Sequence, residues 1–174
     1  MRIYRNLASA EELPESVTAD IEKKLAKHYL QSYSTIATLP NRFTASPLGL
    51  TDKSDGSKCR IHHLSYPANS TPSINSGIPE HYGTIAYSNI VDAITAIQKL
   101  GRSCLLVKRD FESAFRHIPI FPLDTPLLGF HWEGPYYSEL FLPFGLRTAP
   151  YLFNPFANYF TGYSPTNLPK NENR

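Results

Sequence analysis

Leu142-Pro143-Phe144-Gly145-Leu146-Arg147-Thr148-Ala149-Pro150 is the stretch whose reading decides the fold. It is a Pro-x-Gly turn that opens a helix. Gly145 lets the backbone turn sharply and come close to a ligand. The helix is expected to start near Arg147 or Thr148 and to carry Tyr151, Leu152 and Phe153, with Pro155 tolerated only in the first turn or at a kink. A second informative stretch lies upstream, Leu105-Leu106-Val107-Lys108-Arg109-Asp110-Phe111-Glu112-Ser113-Ala114-Phe115. Ser103 to Val107 reads as a buried strand, so Asp110 stands just past a strand end.

Outward from these two stretches, the run from Phe130 to Phe141 predicts a hairpin turning at Gly134-Pro135. Ser88-Asn89 caps a helix whose apolar stripe is Ile90, Ile94, Ile97 and Leu100, with Gly101 as its stop. Leu48-Gly49-Leu50-Thr51 and Cys59 to Leu64 read as two strands joined through Lys53–Lys58, with Asp55-Gly56 at the tip. From Val17 to about Ser34, the positions Ile21, Leu25, Tyr29 and Leu30 fall at helical spacing. Lys23, Lys24 and Lys27 point outward, and Ser16 or Thr18 serves as the cap. Residues 1–16 lack pattern, 35–48 are loop-rich, and 65–82 read as a surface connection. From Thr161 the chain is polar and turn-rich, and 157–174 reads as a disordered tail.

At 174 residues the chain suits one domain or a little more. A hydrophobic content of 41% is ordinary for a globular core and argues against wholesale disorder. The net charge of +2 neither demands nor excludes nucleic acid. Clustering says more, because Lys99, Arg102, Lys108, Arg109 and Arg116 fall near Asp110 in sequence. Each of them alone reads equally as part of a solvated face. Cys59 and Cys104 give no disulfide framework and point to a reducing, intracellular setting, cytoplasmic or nuclear. Cys59 with His62 and His63 lacks a second ligand pair at zinc-finger spacing. No apolar run marks a signal peptide, and none has membrane-spanning length, so no membrane partner is expected.

From about Arg42 to about Phe156 the chain resembles reverse transcriptases, and its Leu-Pro-Phe-Gly-Leu-Arg and His62-His63-Leu64-Ser65-Tyr66-Pro67 look like retrotransposon enzymes of the DIRS-like kind. The resemblance implies an α+β fold of right-hand polymerase type, with a fingers-like hairpin and connection at 42–82 and a partial palm at 83–156, after a helical N-terminal extension at 1–41. It implies that Lys53 and Arg60 meet the triphosphate of a deoxynucleotide, where a mobile ammonium and a planar guanidinium suit a polyanion. Taken alone, both residues read as solubilising groups on a hairpin. Asp110 is implied as the first catalytic carboxylate and a Mg²⁺ ligand, with the carbonyl of Phe111 as a further ligand. Two divalent cations about 4 Å apart can align a 3′-hydroxyl with a triphosphate, and Mg²⁺ prefers hard oxygen donors. Phe115 matches the aromatic residue beneath the sugar that leaves no room for a 2′-hydroxyl; its other reading is a core ring. Phe144, Gly145 and Arg147 match the turn and helix under the nucleotide and template base. The implied partners are an RNA or DNA primer–template and deoxynucleoside triphosphates.

The chain also departs from that family. The Tyr-x-Asp-Asp hairpin that supplies the second pair of carboxylates has no counterpart, and neither has the thumb. After Asp110 the only other Asp is Asp124, in a loop ahead of the Pro143–Gly145 turn. The right hand is therefore expected to be incomplete and the chain inactive alone. Two alternatives stay open: a polymerase completed by another segment, or a module that grips nucleic acid or protein without chemistry.

Overall fold

The computed structural model describes residues 1–68, 72–85, 89–108 and 110–161. A five-stranded mixed sheet forms its backbone. The strands are β1 (Arg2–Ile3), β2 (Leu30–Tyr33), β3 (Thr44–Ala45), and, after a separate hairpin β4 (Leu48–Asp52) and β5 (Lys58–His62), β6 (Gly129–His131) and β7 (Tyr136–Glu139). The sheet order is β1-β3-β6-β7-β2. The β1–β3 and β3–β6 pairs are parallel, and the β6–β7 and β7–β2 pairs antiparallel. Residues 1–41 are thus built into the same sheet as the hairpin at 129–139.

Helix α1 (Ala8–Glu11) is short, and α2 (Pro14–Ala26) is the N-terminal helix that matters for the site. Pro14 begins α2 at a position where its missing N–H costs nothing, and Glu15 and Lys23/Lys24 complement the helix dipole at its two ends. Val17 and Ile21 are buried and Leu25 packs beside them, in a core with Leu30, Leu48, Phe130, Trp132 and Tyr137. The helical spacing expected to run on to Ser34 stops at Ala26. His28 adopts φ +55, and the N–H of Tyr29 bonds back to the Lys24 carbonyl, so Tyr29 and Leu30 leave the helix and Leu30 enters β2 against Glu139. Tertiary pairing with β7 overrides a local pattern that either structure could have satisfied. The expected cap role of Thr18 is also absent: its hydroxyl accepts from the Trp132 indole at 2.9 Å.

Both hairpins form where expected. Gly56 takes φ +79 at the β4–β5 tip, and Glu133 and Gly134 take φ +46 and +108 between β6 and β7. Helix α3 (Ile90–Leu100) begins at Asn89, whose side chain accepts from the N–H groups of Val91 and Asp92 while Asp92 accepts from Asn89, and it stops at Gly101 with φ +81. Its apolar stripe nevertheless faces solvent: Ile90, Ile94 and Leu100 are exposed. Residues 103–107 do not form the buried strand expected of them. Leu105 is 93% exposed, Leu106 and Val107 are exposed, and no described strand pairs with them. An extended segment holds its shape by sharing N–H and C=O groups with a neighbour, and none of the described strands lies beside this one.

Helix α4 (Ala149–Thr161) follows the Pro143–Gly145 turn as expected, with Pro155 inside it. A second core forms beneath that turn from Leu64, Leu128, Leu142, Leu146 and Ala149, with Ile74, Ile78, Phe115, Ile118 and Ile120 packed against it. The segment 65–82 is more than a surface connection, because Ser73 and Asn75 are buried in it. Of the tail expected at 157–174, residues 157–161 belong to α4 and 162–174 lie outside the described residues, as does Arg109. No described helix is long and apolar enough to cross a membrane.

Candidate functional site

The Asp110 segment and the Gly145 turn meet through their rings. Phe115 packs on Phe144 with ring centroids 5.0 Å apart, and on Phe153 of α4 at 5.7 Å. Phe111 lies edge-on to the same Phe153 at 5.6 Å. Aromatic contacts at these separations hold beyond their area alone. They bring the segment carrying Asp110 against the turn carrying Gly145. Asp110 itself is exposed, and Phe144 keeps 57% of its surface open.

The turn is shaped by residues that carry no sequence signal of their own. Gly145 sits at φ +98, and a Cβ there would fall 2.5 Å from the carbonyl oxygen of His62, so only glycine fits. Buried Asn75 pins the same turn: its Nδ2 donates to the Gly145 carbonyl at 2.7 Å and its Oδ1 accepts from the Arg147 N–H at 2.8 Å. The Arg147 side chain runs across Gly83, where a Cβ would come within 2.7 Å of it, and donates to the Ile78 carbonyl at 3.3 Å.

Behind Phe144 lies a cavity of about 350 Å³ between α2, the β4–β5 hairpin and residues 112–116. Lys53, Arg60, Ser113, Arg116, Pro143 and Phe144 are among the residues lining it. Lys53 is exposed at its edge. Arg60 is buried, and most of its guanidinium is already engaged. Its Nε donates to Asp20, its Nη2 donates to Glu139 Oε1 at 3.1 Å, and its plane lies over the Phe130 ring at 4.6 Å; Nη1 has no hydrogen-bond partner among the described residues. Glu139 also accepts from Arg116. One fully buried carboxylate thus ties together β5, β7 and the turn Ala114–His117, four residues beyond Asp110.

Burial alone would push the Glu139 carboxyl up, but the Arg60 and Arg116 guanidiniums outweigh it and hold it at about 2. Burial, reinforced by the same two arginines, drives His62 down to about 4. Its Nε2 lies 3.1 Å from the Gly129 carbonyl, so the neutral ring carries its proton there and donates. Burial and the Arg60 charge lower Lys24 to about 8, against the pull of Asp20 at 2.6 Å.

Asp124 lies elsewhere. It lines a larger apolar cavity of about 770 Å³ with Arg2, Arg42, Ile120 and Leu127, away from Lys53 and Arg60. Glu112 is exposed and faces Lys27 at 3.5 Å. Sequence reasoning does not find Asp20, Asn75 or Glu139. Glu139 left one trace, a lone carboxylate at the end of Tyr136-Tyr137-Ser138, in a strand that is otherwise buried and free of charge.

No protein-family model matches the chain, and no curated protein matches it. Solved structures do. The foamy viral protease-reverse transcriptase in complex with double-stranded DNA superposes with a TM-score of 0.60 at 20% identity, over 95% of this chain and 25% of that one. The foamy viral enzyme in complex with an RNA/DNA hybrid gives 0.59 at 18% identity, over 94% and 19%. The prototype foamy virus protease-reverse transcriptase gives 0.54 at 17%, over 92% and 19%. The chain thus spans between about a fifth and a quarter of the length of these structures. Nearly all of it is arranged in a reverse-transcriptase-like fold.

Proposed function

We propose that this chain is the nucleotide-facing part of a reverse-transcriptase-type polymerase of retrotransposon kind, DIRS-like in its turn sequence, with 42–82 acting as fingers and 83–156 as the first part of a palm. The observation that carries the reading is the packing of Phe115 on Phe144 beside the cavity that Lys53 and Arg60 line. In this reading Lys53 meets the triphosphate at the cavity edge, and Arg60 joins it by turning its buried guanidinium away from Asp20 and Glu139. Phe115 lies under the sugar, and Phe144, Gly145 and Arg147 support the nucleotide and the template base. Asp110 is the first catalytic carboxylate.

Asp110 is a hard oxygen donor of the kind Mg²⁺ takes, with the Phe111 carbonyl as its expected companion. Among the described residues, however, no three His, Cys, Asp or Glu side chains come together to hold a metal. These donors do not make up a two-cation site. In this reading the chain by itself grips nucleotide and primer–template and performs no transfer, because its sequence offers Asp110 without the family's further pair of carboxylates. The bare apolar segment Leu105–Val107 supports a reading in which another segment, bearing further carboxylates, completes the palm. The work of such an assembly belongs inside the cell, in cytoplasm or nucleus.

Primer extension on RNA and DNA templates, run beside salt-dependent binding of the same primer–template, tests the proposal. The expected result is binding at low salt without incorporation by the chain alone. Fusion to an Asp-Asp hairpin and thumb should bring incorporation that Asp110→Ala abolishes and Phe115→Ala opens to ribonucleotides. Incorporation by the unfused chain would overturn the claim of inactivity, and failure to bind primer–template at any salt would overturn the polymerase reading. A nucleic-acid-binding module without chemistry is the second reading, favoured by the solitary carboxylate. It predicts binding, but no activity in the fusion.

A further inference from the structure

Arg147 is exposed, and no carboxylate among the described residues forms an ion pair with it. One segment, residues 73–83, nevertheless holds it along its whole length. At the backbone, the Arg147 N–H donates to Asn75 Oδ1 at 2.8 Å. At the tip, Nη1 donates to the Ile78 carbonyl at 3.3 Å. Between the two, the stem lies against Gly83, where a Cβ would fall 2.7 Å from Cγ and 3.1 Å from Cδ. A long side chain that is loose on a surface gives up rotamer freedom when it binds, whereas one already laid in a groove gives up less.

Asn75 is the fixed point of this cradle. It is buried, and its amide is fully used. Nδ2 donates to the Gly145 carbonyl at 2.7 Å and to Ser65 Oγ at 2.8 Å, while Oδ1 takes the Arg147 N–H. Its own N–H donates to the Leu64 carbonyl at 3.0 Å. By meeting the C=O of one residue and the N–H two positions on, the side chain does for the turn what a neighbouring strand would do. The rest of the cradle follows directly, since the Ile78 N–H bonds back to the Asn75 carbonyl at 3.2 Å.

We propose that Asn75 is a positioning residue for nucleic-acid binding: without touching the ligand, it and Gly83 hold Arg147 preordered for a backbone phosphate of a primer–template. The inference rests on the nucleic-acid reading above and adds what prepares the arginine. The Ile78 carbonyl takes one of the guanidinium donors, and phosphate oxygens suit the others.

Binding of the full chain to an RNA/DNA primer–template, followed by fluorescence anisotropy across a salt series, tests this. Arg147→Ala should weaken binding about five-fold at low salt and reduce the steepness of log affinity against log salt by about one. Asn75→Ala and Gly83→Ala should each weaken it about three-fold, within what ordering one long side chain costs. Gly83 has φ −110, so alanine there displaces the arginine stem without straining the backbone. Gly77→Ala, in the same segment but with nothing within 4 Å of its Cβ, should leave binding unchanged. In the Arg147→Ala background, Asn75→Ala and Gly83→Ala should each cost less than about two-fold more, because a residue that acts through the arginine has nothing left to act on. Circular dichroism identifies any variant that fails to fold, and the exposed Gly83 carries the test if Asn75→Ala does. The inference is overturned if Arg147→Ala leaves the salt dependence unchanged, if Gly83→Ala binds as Gly77→Ala does, or if Asn75→Ala costs as much in the Arg147→Ala background as in the unaltered chain. Those outcomes, with primer–template bound by the unaltered chain, leave the polymerase reading standing. Failure of the unaltered chain to bind at any salt overturns that reading and this inference together.

Discussion

Two regions of comparable apolar content behave differently in this molecule. Around Glu139 the strands β2, β5, β6 and β7 and helix α2 close on one another, and the arginines and the carboxylate buried there lie against opposite charges. In α3 and residues 103–108 the apolar side chains are as numerous, yet Ile90, Leu100, Leu105, Leu106 and Val107 all lie open. The first region has its partners inside the chain. The second has a well-capped helix with little to pack against, which shows that capping and periodicity make an element but do not bury it.

The sharpest test of this contrast is Glu139→Ala. It leaves the Arg60 and Arg116 guanidiniums buried without their shared carboxylate, and losing one partner of such a cluster costs about 3–5 kcal/mol. Urea unfolding measures it, and a loss under about 1 kcal/mol would mean that the cluster does not hold the first region together.

Acid should act on the same place. The His62 value falls from 6.5 to about 4 on folding, so the unfolded chain takes up that proton first and stability is lost as the pH drops from about 6.5 toward 4. Glu139 falls from 4.5 to about 2, and its contribution, full above 4.5, is lost between there and about 2. Each is on the order of 3 kcal/mol at most, since a tenfold change in proton affinity is worth about 1.4 kcal/mol. Unfolding midpoints measured against pH should decline in two overlapping stages, and a flat profile from 6.5 to 3 would contradict the buried, neutral His62.

Leucine truncation compares the regions directly. Leu142 is 1% exposed, and Leu142→Ala should cost about 2–4 kcal/mol for the lost contacts and the cavity left behind. The smallest effect belongs to Leu105→Ala, at 93% exposure, which should change stability by no more than about 0.5 kcal/mol. If Leu105→Ala cost as much as Leu142→Ala, residues 103–108 would be packed in solution and the contrast would collapse.

Much of the fold was readable because it depends on local chemistry. Asp55-Gly56 and Gly134-Pro135 announce turns that ordinary residues resist, and Asn89 and Gly101 bracket α3 by satisfying its end groups. The site was readable in part. Phe115 packs on Phe144, and both rings belong to segments that stand out in the chain. Arg60 was readable as a functional cation but not as a buried one, because its burial depends on Asp20, forty residues before it, and on Glu139, seventy-nine after.

The sequence by itself determined the two hairpins and the capped helix α3, since each rests on contacts within a few residues, and it marked the Leu142–Pro150 turn by its glycine, although Asn75 and His62 hold that turn from far along the chain. Only the tertiary structure decided where α2 ends, which apolar faces are covered, and which charges are free. Burial is set by what lies opposite a residue in space, and the charge of an arginine or lysine is available to a ligand only if no carboxylate has already taken it. Lys53 therefore remains as a cation for the cavity and Lys27 has only the exposed Glu112 against it, while Arg116, which sequence grouped with exposed basic residues, lies in the core against Glu139.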